Sequence, residues 1–540
     1  MPSLATPRTD NAIDLATAVY VNVLGKKLMN SNPRIKTAVD QWRMEKCEET
    51  SLQSNLAKNQ ELKDIVLSET PWVNEAENEA EQKQMLATFF DSNAIDMRVA
   101  SAIKELGKLQ NEDGSWSWYP GMKGNSNITV SVAEMLVRLN KNAGMQKETQ
   151  SMLNKAMDYL NKETAKQVEK LKEMEKKGQV VNFPGLTTLQ ILYLNAISST
   201  TPSVSLPKGR SGGASLTSQP HTYLIELLQK DIKQQTIYEK ALSAIILAKS
   251  GQQKKGNEYV ESLKQYTVYT EEQGRYYDTP RAAYSWRDYR IPTQVAAMEA
   301  INELNAADKS TIEEMQQWLL QQKRTQSWDT PINTINAIYA FMNGNGEMFD
   351  AQPMARISVG KKQIDMPLAT AALGYVKTTV DNPKAESIKI EKTSDGTSWG
   401  TVYVQFFQKA SEVADNGSGL KIKREIINTE NTPLTVGSRI TVRITVESSR
   451  NMDFVQIADR RAACMEPVNQ LSGYRDGAYI TPKDNATYYY MDRLPKGKHV
   501  IETEYYIDRT GSYETGTCTA ECAYSPEFRA VAKSEQIIIK

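Results

Sequence analysis

Two histidines and four cysteines in 540 residues leave this chain little material for nucleophilic or metal chemistry. His221 and His499 lie far apart, on either side of a change in apolar period, so they are expected in different domains. A histidine-rich metal site, or a Cys-His dyad within one domain, is therefore not expected. Cys518 and Cys522 are spaced Cys-x-x-x-Cys, but no second pair accompanies them. A structural zinc takes about four Cys or His ligands, so buried thiols or a single disulfide is the plainer expectation for the cysteines. Carboxylates are plentiful, as in the run Glu75 to Glu81, which has the pattern of a solvated helix face. A carboxylate pair assembled by the fold stays open at this stage. No catalytic residue, metal or cofactor is expected from residue types and spacing.

The surroundings of these residues are those of a water-soluble chain. Lys+Arg and Asp+Glu are each 65, so the net charge is zero and nothing argues for nucleic acid or an anionic membrane as a partner. No run approaches the roughly 20 apolar residues of a membrane span, so no direct membrane insertion is expected. The opening Met1-Pro-Ser-Leu-Ala-Thr-Pro-Arg8 lacks a charged-then-apolar leader, as the mature chain of an exported protein or a piece of a longer one would. A length of 540 residues is too great for one core, and two to four domains are expected.

The apolar period divides the chain. Up to about Gly346 it is helical: Ile128, Val132, Met135, Leu136 and Leu139 share a face, as do Ile237, Leu242, Ile245 and Ile246, and again Ile332, Ile335, Ile338, Tyr339 and Met342. The charged stretch Lys166 to Lys177 interleaves Glu169, Glu173 and Glu175 and reads as a solvated helix face. Residues 199–219, rich in Ser, Thr, Pro and Gly, are expected to form a loop. Beyond residue 350 the period becomes two. Ile440, Val442, Ile444 and Val446 alternate with Arg439, Thr441, Arg443 and Thr445, and turns are expected at Asp395-Gly396, Asn416-Gly417, Asp476-Gly477 and Pro495-Lys-Gly497. Helix followed by strand predicts separate domains, the second part built as antiparallel sandwiches.

The helical half repeats itself. Gln110-Asn-Glu-Asp-Gly114-Ser-Trp116 precedes the helix starting near Thr129. Tyr284-Ser-Trp286 precedes Ile291-Pro292-Thr293, and Gln326-Ser-Trp328 precedes Thr330-Pro331-Ile332. In each unit a Trp stands before a helix whose first turn carries Thr, which suits capping, and Pro suits the first helical turn. These units resemble the Gln-Trp repeats of the (α/α)6 toroid, the terpenoid cyclase-like fold shared by prenyltransferases and the thioester domains of complement-like proteins. The Trp residues are expected to be structural fillers. Trp116, Trp118 and Tyr119 are also a candidate surface patch, with carbohydrate as one ligand it would suit.

Ligand inventories separate the toroids. No Asp-Asp-x-x-Asp or Asp-x-Asp-Asp serves a diphosphate, and the helical half holds one Cys, Cys47, and one His, His221, too few for a zinc prenyltransferase. Residues 399–540 resemble the terminal modules of the bacterial alpha-2-macroglobulin family. The likeness lies in Trp399-Gly400, Tyr403-Val-Gln-Phe406, Val436-Gly437, Arg450-Asn-Met-Asp-Phe454, Asp459-Arg-Arg-Ala-Ala463 and Glu466-Pro467. It continues through Ser472-Gly-Tyr474, Lys483-Asp-Asn-Ala-Thr487, Leu494-Pro-Lys-Gly497 and Tyr524-Ser-Pro-Glu-Phe528. Ser31-Asn-Pro-Arg-Ile-Lys36 and Glu69-Thr-Pro-Trp72 look like Bacteroides-type members. The resemblance implies a thioester-type toroid over 1–346, part of a CUB-like β-domain over 347–410 with strands near Ala355 to Val359 and Ala385 to Ile390, and a macroglobulin-like sandwich over 411–540. The rest of the CUB-like domain would precede Met1, so the chain is expected to be the C-terminal part of a longer one.

Family members with covalent activity carry Cys-x-Glu-Gln at the start of the toroid, where the thiol and the Gln side chain close a thioester. Counting back from Ser31-Asn-Pro-Arg34, Asn11 stands where the Cys belongs and Asp14 where the Gln belongs, and neither can form that bond. No cysteine restores the motif elsewhere: the third residue after Cys47, Cys464, Cys518 and Cys522 is Thr50, Pro467, Glu521 and Ser525. The resemblance then implies protease trapping without covalent capture, in an exported protein of the bacterial periplasm or cell surface, with a lipoprotein anchor upstream as one option. Its partners would be proteases, met through the parent protein, and other domains of that parent. The alternatives are a carbohydrate-active enzyme using the toroid cavity, and a structural envelope scaffold or binding module.

Overall fold

The computed structural model describes residues 1–31, 35–37, 39–40, 86–144, 146–198, 216, 218–230, 235–271, 273–279, 290–305, 307–325, 330–343, 355–364, 380–381, 387–392, 402, 409, 412–428, 433–523 and 525–540. Cys47, Glu69–Trp72, the run Glu75 to Glu81, Asp395-Gly396, the repeat units Tyr284–Trp286 and Gln326–Trp328, Trp399-Gly400, Tyr403–Phe406 and nearly all of the loop expected over 199–219 lie outside the described residues.

Helices come first and antiparallel strands follow. The described helices are α1 (Ala12–Ser31), α2 (Ser92–Lys108), α3 (Ser126–Ala143), α4 (Lys147–Lys176), α5 (Leu186–Ser198) and α6 (Gln219–Leu228). They continue as α7 (Ile237–Lys249), α8 (Gln253–Lys264), α9 (Arg290–Leu304), α10 (Lys309–Thr325) and α11 (Pro331–Met342). A hairpin, β1 (Thr267–Thr270) and β2 (Gly274–Tyr277), stands between α8 and α9.

Odd and even helices differ in how much of their circumference is apolar. Ten of the thirteen residues of α7 are buried, and fourteen of the twenty of α1. In α4 eight of thirty are buried, spaced three and four apart along one stripe, with the charged side chains between Lys166 and Lys177 turned to solvent around Val168 and Leu171. A helix apolar on all sides must be surrounded, whereas a striped one belongs on the outside. The packing follows: α1 touches α3, α3 touches α5, then α7, α9 and α11 in turn, and α11 returns to α1. Six helices thus close a ring, with α2, α4, α6 and α8 packed against it.

Local signals set the helix starts. Thr236 and Glu239 form a reciprocal capping box on α7, and Thr330 caps α11 ahead of Pro331. In the first repeat unit the cap is Asn125, and Thr129 does other work: its hydroxyl accepts the Trp116 N–H at 2.9 Å and donates to the Asn125 carbonyl. Trp116 is fully buried and its indole donates to Leu106 O at 3.1 Å, while Gln110 bonds Gly114 O and Met152 O. The unit therefore ties α2, α3 and α4 together.

The second compact unit, parted from the first near residue 399, holds most of the strands. A four-stranded sheet runs β10 (Met465–Pro467), β14 (Gly497–Ile507), β8 (Arg439–Ser448), β7 (Leu420–Ile427). A seven-stranded sheet runs β11 (Gly473–Arg475), β12 (Ala478–Pro482), β13 (Ala486–Leu494), β9 (Met452–Arg460), β16 (Cys518–Cys522), β17 (Ser525–Ala532), β6 (Asn416–Ser418). All pairs are antiparallel. Ile440, Val442, Ile444 and Val446 of β8 meet Val455 and Ile457 of β9 and Cys518 and Ala520 of β16 in one apolar core, while Arg443 faces Glu502 across the register and pairs with it at 2.6 Å. Strands β15 (Gly511–Glu514) and β18 (Gln536–Ile539) form a separate ribbon. Earlier in the chain β3 (Arg356–Val359), β4 (Lys362–Gln363) and β5 (Ile388–Glu391) make a three-stranded antiparallel sheet.

Asp476 and Gly477 both take positive φ between paired Arg475 and Ala478, the two-residue hairpin turn expected there. Asn416-Gly417 is not a turn: both residues lie in β6, and the chain turns at Gly419, with φ +71°. Gly114 also has positive φ, +93°, and a Cβ there would stand 2.2 Å from the Lys155 carbonyl oxygen. Replacing Gly114 with Ala is expected to lower stability by about 2–3 kcal/mol through strain and displacement of α4. Urea unfolding of the wild type and variant measures it.

Candidate functional site: the start of α1 and the centre of the ring

Helix α1 begins with residues that satisfy one another. The Asn11 side-chain oxygen accepts from the backbone N–H of Ile13 and of Asp14, both at 2.9 Å. The Asp14 carboxylate accepts from the Thr9 N–H at 3.1 Å and from its hydroxyl at 2.9 Å, and the Asn11 amide donates to that same hydroxyl oxygen at 2.5 Å. The two side chains therefore converge on Thr9 Oγ1. Asn11 does the work of an N-cap, and Asp14 places a negative charge in the first turn, where the helix dipole favours it. An amide and a carboxylate in this arrangement cap a helix and have no electrophilic or nucleophilic chemistry to offer each other.

The thiols are elsewhere. Cys464, Cys518 and Cys522 are all buried in the β-unit. Burial pushes the Cys464 thiol up, and burial followed by the neighbouring Asp459 carboxylate pushes Cys518 up further. A thiol held protonated away from solvent is inert as a nucleophile. His221 is buried in α6, in the first compact unit, and His499 lies on β14 in the second, with its Nε2 2.7 Å from the Pro495 carbonyl oxygen.

Beside the start of α1 runs the loop joining α2 to α3, whose Trp118 carbonyl accepts the Ala12 N–H at 3.0 Å. Trp118 and Tyr119 are 46% and 38% exposed, with ring centroids 5.3 Å apart. Met122, which sequence reasoning did not single out, is 52% exposed on the same loop. Trp116 takes no part in this surface, being sealed between α2 and α3.

The ring encloses a charged centre that the helical period does not announce. Arg138 of α3, 3% exposed, pairs with Glu134 one turn earlier at 2.8 Å and with Glu299 of α9 at 3.5 Å. It donates to the hydroxyl of Tyr193 from α5 and to Asn336 of α11, and its guanidinium lies 4.4 Å from the Tyr339 ring centroid. Glu299 accepts the hydroxyls of Tyr193 at 2.5 Å and Tyr339 at 2.6 Å. At the margin Glu303 takes Lys141 at 3.0 Å and Lys249 of α7 at 2.8 Å. From α1, the Tyr20 hydroxyl accepts from Asn142 at 3.3 Å, and burial pushes its pKa up to about 12.

Glu134, Glu299 and Glu303 are thus matched by Arg138, Lys141 and Lys249. Burial opposes the Arg138 charge, but Glu134, Tyr193 and Glu299 outweigh it and hold the guanidinium charged. Burial also pushes the Glu134 carboxyl up, against the pull of Arg138. For Glu303 burial works against the charge, yet Lys249 and Lys141 keep its carboxyl below the usual range. A glycosidase needs two carboxylates free to reach a sugar, whereas Glu299 is occupied by two tyrosines, an arginine and a lysine. A shallow crevice beside it, lined by Val295, Met298, Ile312, Tyr339 and Asn343, has room for about one water molecule, far less than a ligand site needs. The signal that could have found this centre is a lone Glu299 in the otherwise apolar stretch Val295 to Ile301, and an acidic-basic pair, Glu134 and Arg138, one turn apart within a buried helix.

Residues 409–527 match the family model of the bacterial alpha-2-macroglobulin MG10 domain. Among solved structures the chain is similar to trypsin-activated alpha-2-macroglobulin from Escherichia coli, at 14% identity and TM-score 0.41 over 85% of this chain and 31% of that one. Methylamine-reacted Salmonella alpha-2-macroglobulin gives 13% identity and TM-score 0.33 over 83% and 28%. Native Escherichia coli alpha-2-macroglobulin from domain MG7 to the C-terminus gives 13% and 0.31 over 94% and 75%. The chain thus spans about a third of the first of these proteins. No curated protein matches it. None of these likenesses bears on the Bacteroides-type features.

Two substitutions separate the cap from the charged centre. Asn11→Ala is expected to cost about 1 kcal/mol, as loss of an N-cap does. Arg138→Ala leaves two carboxylates without their cation and is expected to cost about 3–5 kcal/mol. Urea midpoints for both variants, with far-ultraviolet circular dichroism as the probe, test the difference.

Proposed function

We propose that this chain is the protease-trapping C-terminal portion of an exported alpha-2-macroglobulin-like protein that works without a thioester. In this reading residues 1–346 are the thioester-type toroid, residues 347–410 part of a CUB-like domain and residues 411–540 the terminal macroglobulin-like sandwich. The observation that carries the proposal is the start of α1: Asn11 and Asp14, the positions the resemblance assigns to the thioester pair, are spent on capping the helix. Capture then rests on shape and surface contact, and the partners are proteases met through the parent protein and the parent's other domains. The occupied carboxylates of the ring weigh against a carbohydrate-active enzyme, because Glu134, Glu299 and Glu303 are each already paired with a cation. A scaffold role differs from trapping only in what the assembled parent does to a protease.

The test uses the full-length parent with a panel of proteases, following cleavage of a large protein substrate and of a small peptide. Steric trapping predicts loss of the first, retention of the second and no adduct on denaturing gels. Unchanged cleavage of both substrates leaves only the scaffold reading, and an adduct contradicts the assignment of Asn11 and Asp14.

The positional assignment has its own test. Because the side chains of residues 11 and 14 converge on one hydroxyl, the double variant Asn11→Cys, Asp14→Gln is expected to close a thioester. The thiol sulfur would add to the carboxamide carbon, the C–N bond would break, and ammonia would leave carrying the thiol proton. Intact mass spectrometry reads this as loss of one ammonia, and methylamine then adds once, opening the thioester to a free thiol and an N-methyl amide one CH2 heavier than the original carboxamide. The wild type is expected to keep its mass in methylamine. A double variant that folds yet keeps its ammonia would show that these positions are not the thioester pair.

A further inference from the structure

We propose that α11 is a latch, a helix that can leave and re-enter the ring as a unit while the other inner helices stay packed. This inference stands on the ring itself and is independent of protease capture. α11 closes the circle, resting on α9, α1 and α3. Its fully buried residues are Asn333, Thr334, Ile335, Asn336, Ala337, Tyr339 and Ala340, with Ile335 the one large aliphatic among them, while Ile332, Ile338, Phe341 and Met342 are only partly buried against the same core. α7, by contrast, buries Ile237, Leu242, Ile245, Ile246 and Leu247. Since apolar burial scales with area, α11 is held less by the hydrophobic effect than α7.

What replaces it is polar and local. The Tyr339 hydroxyl donates to Glu299 and receives Lys141 at 3.2 Å, and Arg138 donates to Asn336 at 2.7 Å. These partners remain paired if α11 moves away. Glu299 keeps Tyr193, Arg138 and Lys141, and Arg138 keeps Glu134. Removing a partner from a buried ion usually costs several kcal/mol because the charge is stranded; here the ions are balanced behind the helix, so undocking exchanges the three hydrogen bonds to them, and that of Gln316 to the Ala340 carbonyl, for water without stranding a charge. The packing is also looser at this seam, since the crevice beside Glu299 lies between Val295 and Met298 of α9 and Tyr339 and Ala340 of α11. In chain order α11 is the last described helix before β3, so a pull on the following strands would reach the ring here first.

Hydrogen exchange read by mass spectrometry on the whole chain tests the latch. In the wild type, peptides from α11 are expected to exchange faster than those from α5 and α7. Tyr339→Phe keeps the ring packing and removes the hydroxyl, so it should speed α11 exchange by roughly tenfold while α5 and α7 keep their rates. Asn336→Ala, which touches no carboxylate, should act in the same direction and serves if the first variant fails to fold. Exchange of α11 in step with α7 in the wild type, or equal acceleration of all inner helices in the variants, would overturn the proposal.

Discussion

The helical ring depends on two fully buried charges, Arg138 and Glu299, being balanced by four partly exposed ones around them. Three carboxylates and three cations meet where α3, α7 and α9 face each other, and Tyr193 and Tyr339 bring α5 and α11 to the same point. Moving any one of these ions out of water alone would cost more than the ring's apolar contacts return. The cluster is tolerable only as a complete set, and the set is complete only when the helices are in register. A purely apolar centre would be at least as stable but would accept sliding of one helix on another. Directional partners from five helices leave one arrangement.

The β-unit uses a related device. Arg424 of β7 is buried against Asp459 of β9 at 3.2 Å and donates to Thr515 Oγ1, Gly516 O and Lys533 O. Burial pushes the Asp459 carboxyl up, and Arg424 draws it back. One side chain thus fixes β7 of one sheet, β9 of the other, and two loops distant in sequence. In both units an arginine inside an apolar core sets how elements meet, while the apolar pattern sets only that they meet.

That division explains what was legible in the sequence. The alternation in β8 and the stripe in α4 are local, and both faces could be read from neighbouring residues. The Asp476-Gly477 turn was legible for the same reason, because left-handed φ at two successive positions selects those residues. Asn416-Gly417 has the same composition but sits in β6, where pairing with Ala530 and Val531 overrides the local preference. Thr129 was legible as a helix-start residue but not as the acceptor of the Trp116 N–H, since that bond exists only after the loop folds back. Glu299 and Arg138 are 161 residues apart, and nothing local predicts that they meet. Period reports which face is buried and is silent on which buried ions find one another.

On the proposed assignment of Asn11 and Asp14 to the thioester pair, the start of α1 would be a site that lost its chemistry and kept its fold. Residues i and i+3 of a helix's first turn face the same side, so a side chain at each can touch the other or a common third atom. A thiol and a carboxamide in that geometry can bond covalently; an Asn and an Asp in the same geometry cap the helix through Thr9 and the free N–H groups of Ile13 and Asp14. The second use stabilises the helix where the first would place a reactive ester, and it asks nothing of the surrounding structure. Among the described residues the cap is satisfied, the ring centre is filled and the thiols are buried, which leaves the surface to interact. On the helical unit the capacity for interaction is most concentrated beside the cap, where Trp118, Tyr119 and Met122 stand exposed on a loop pinned to Ala12.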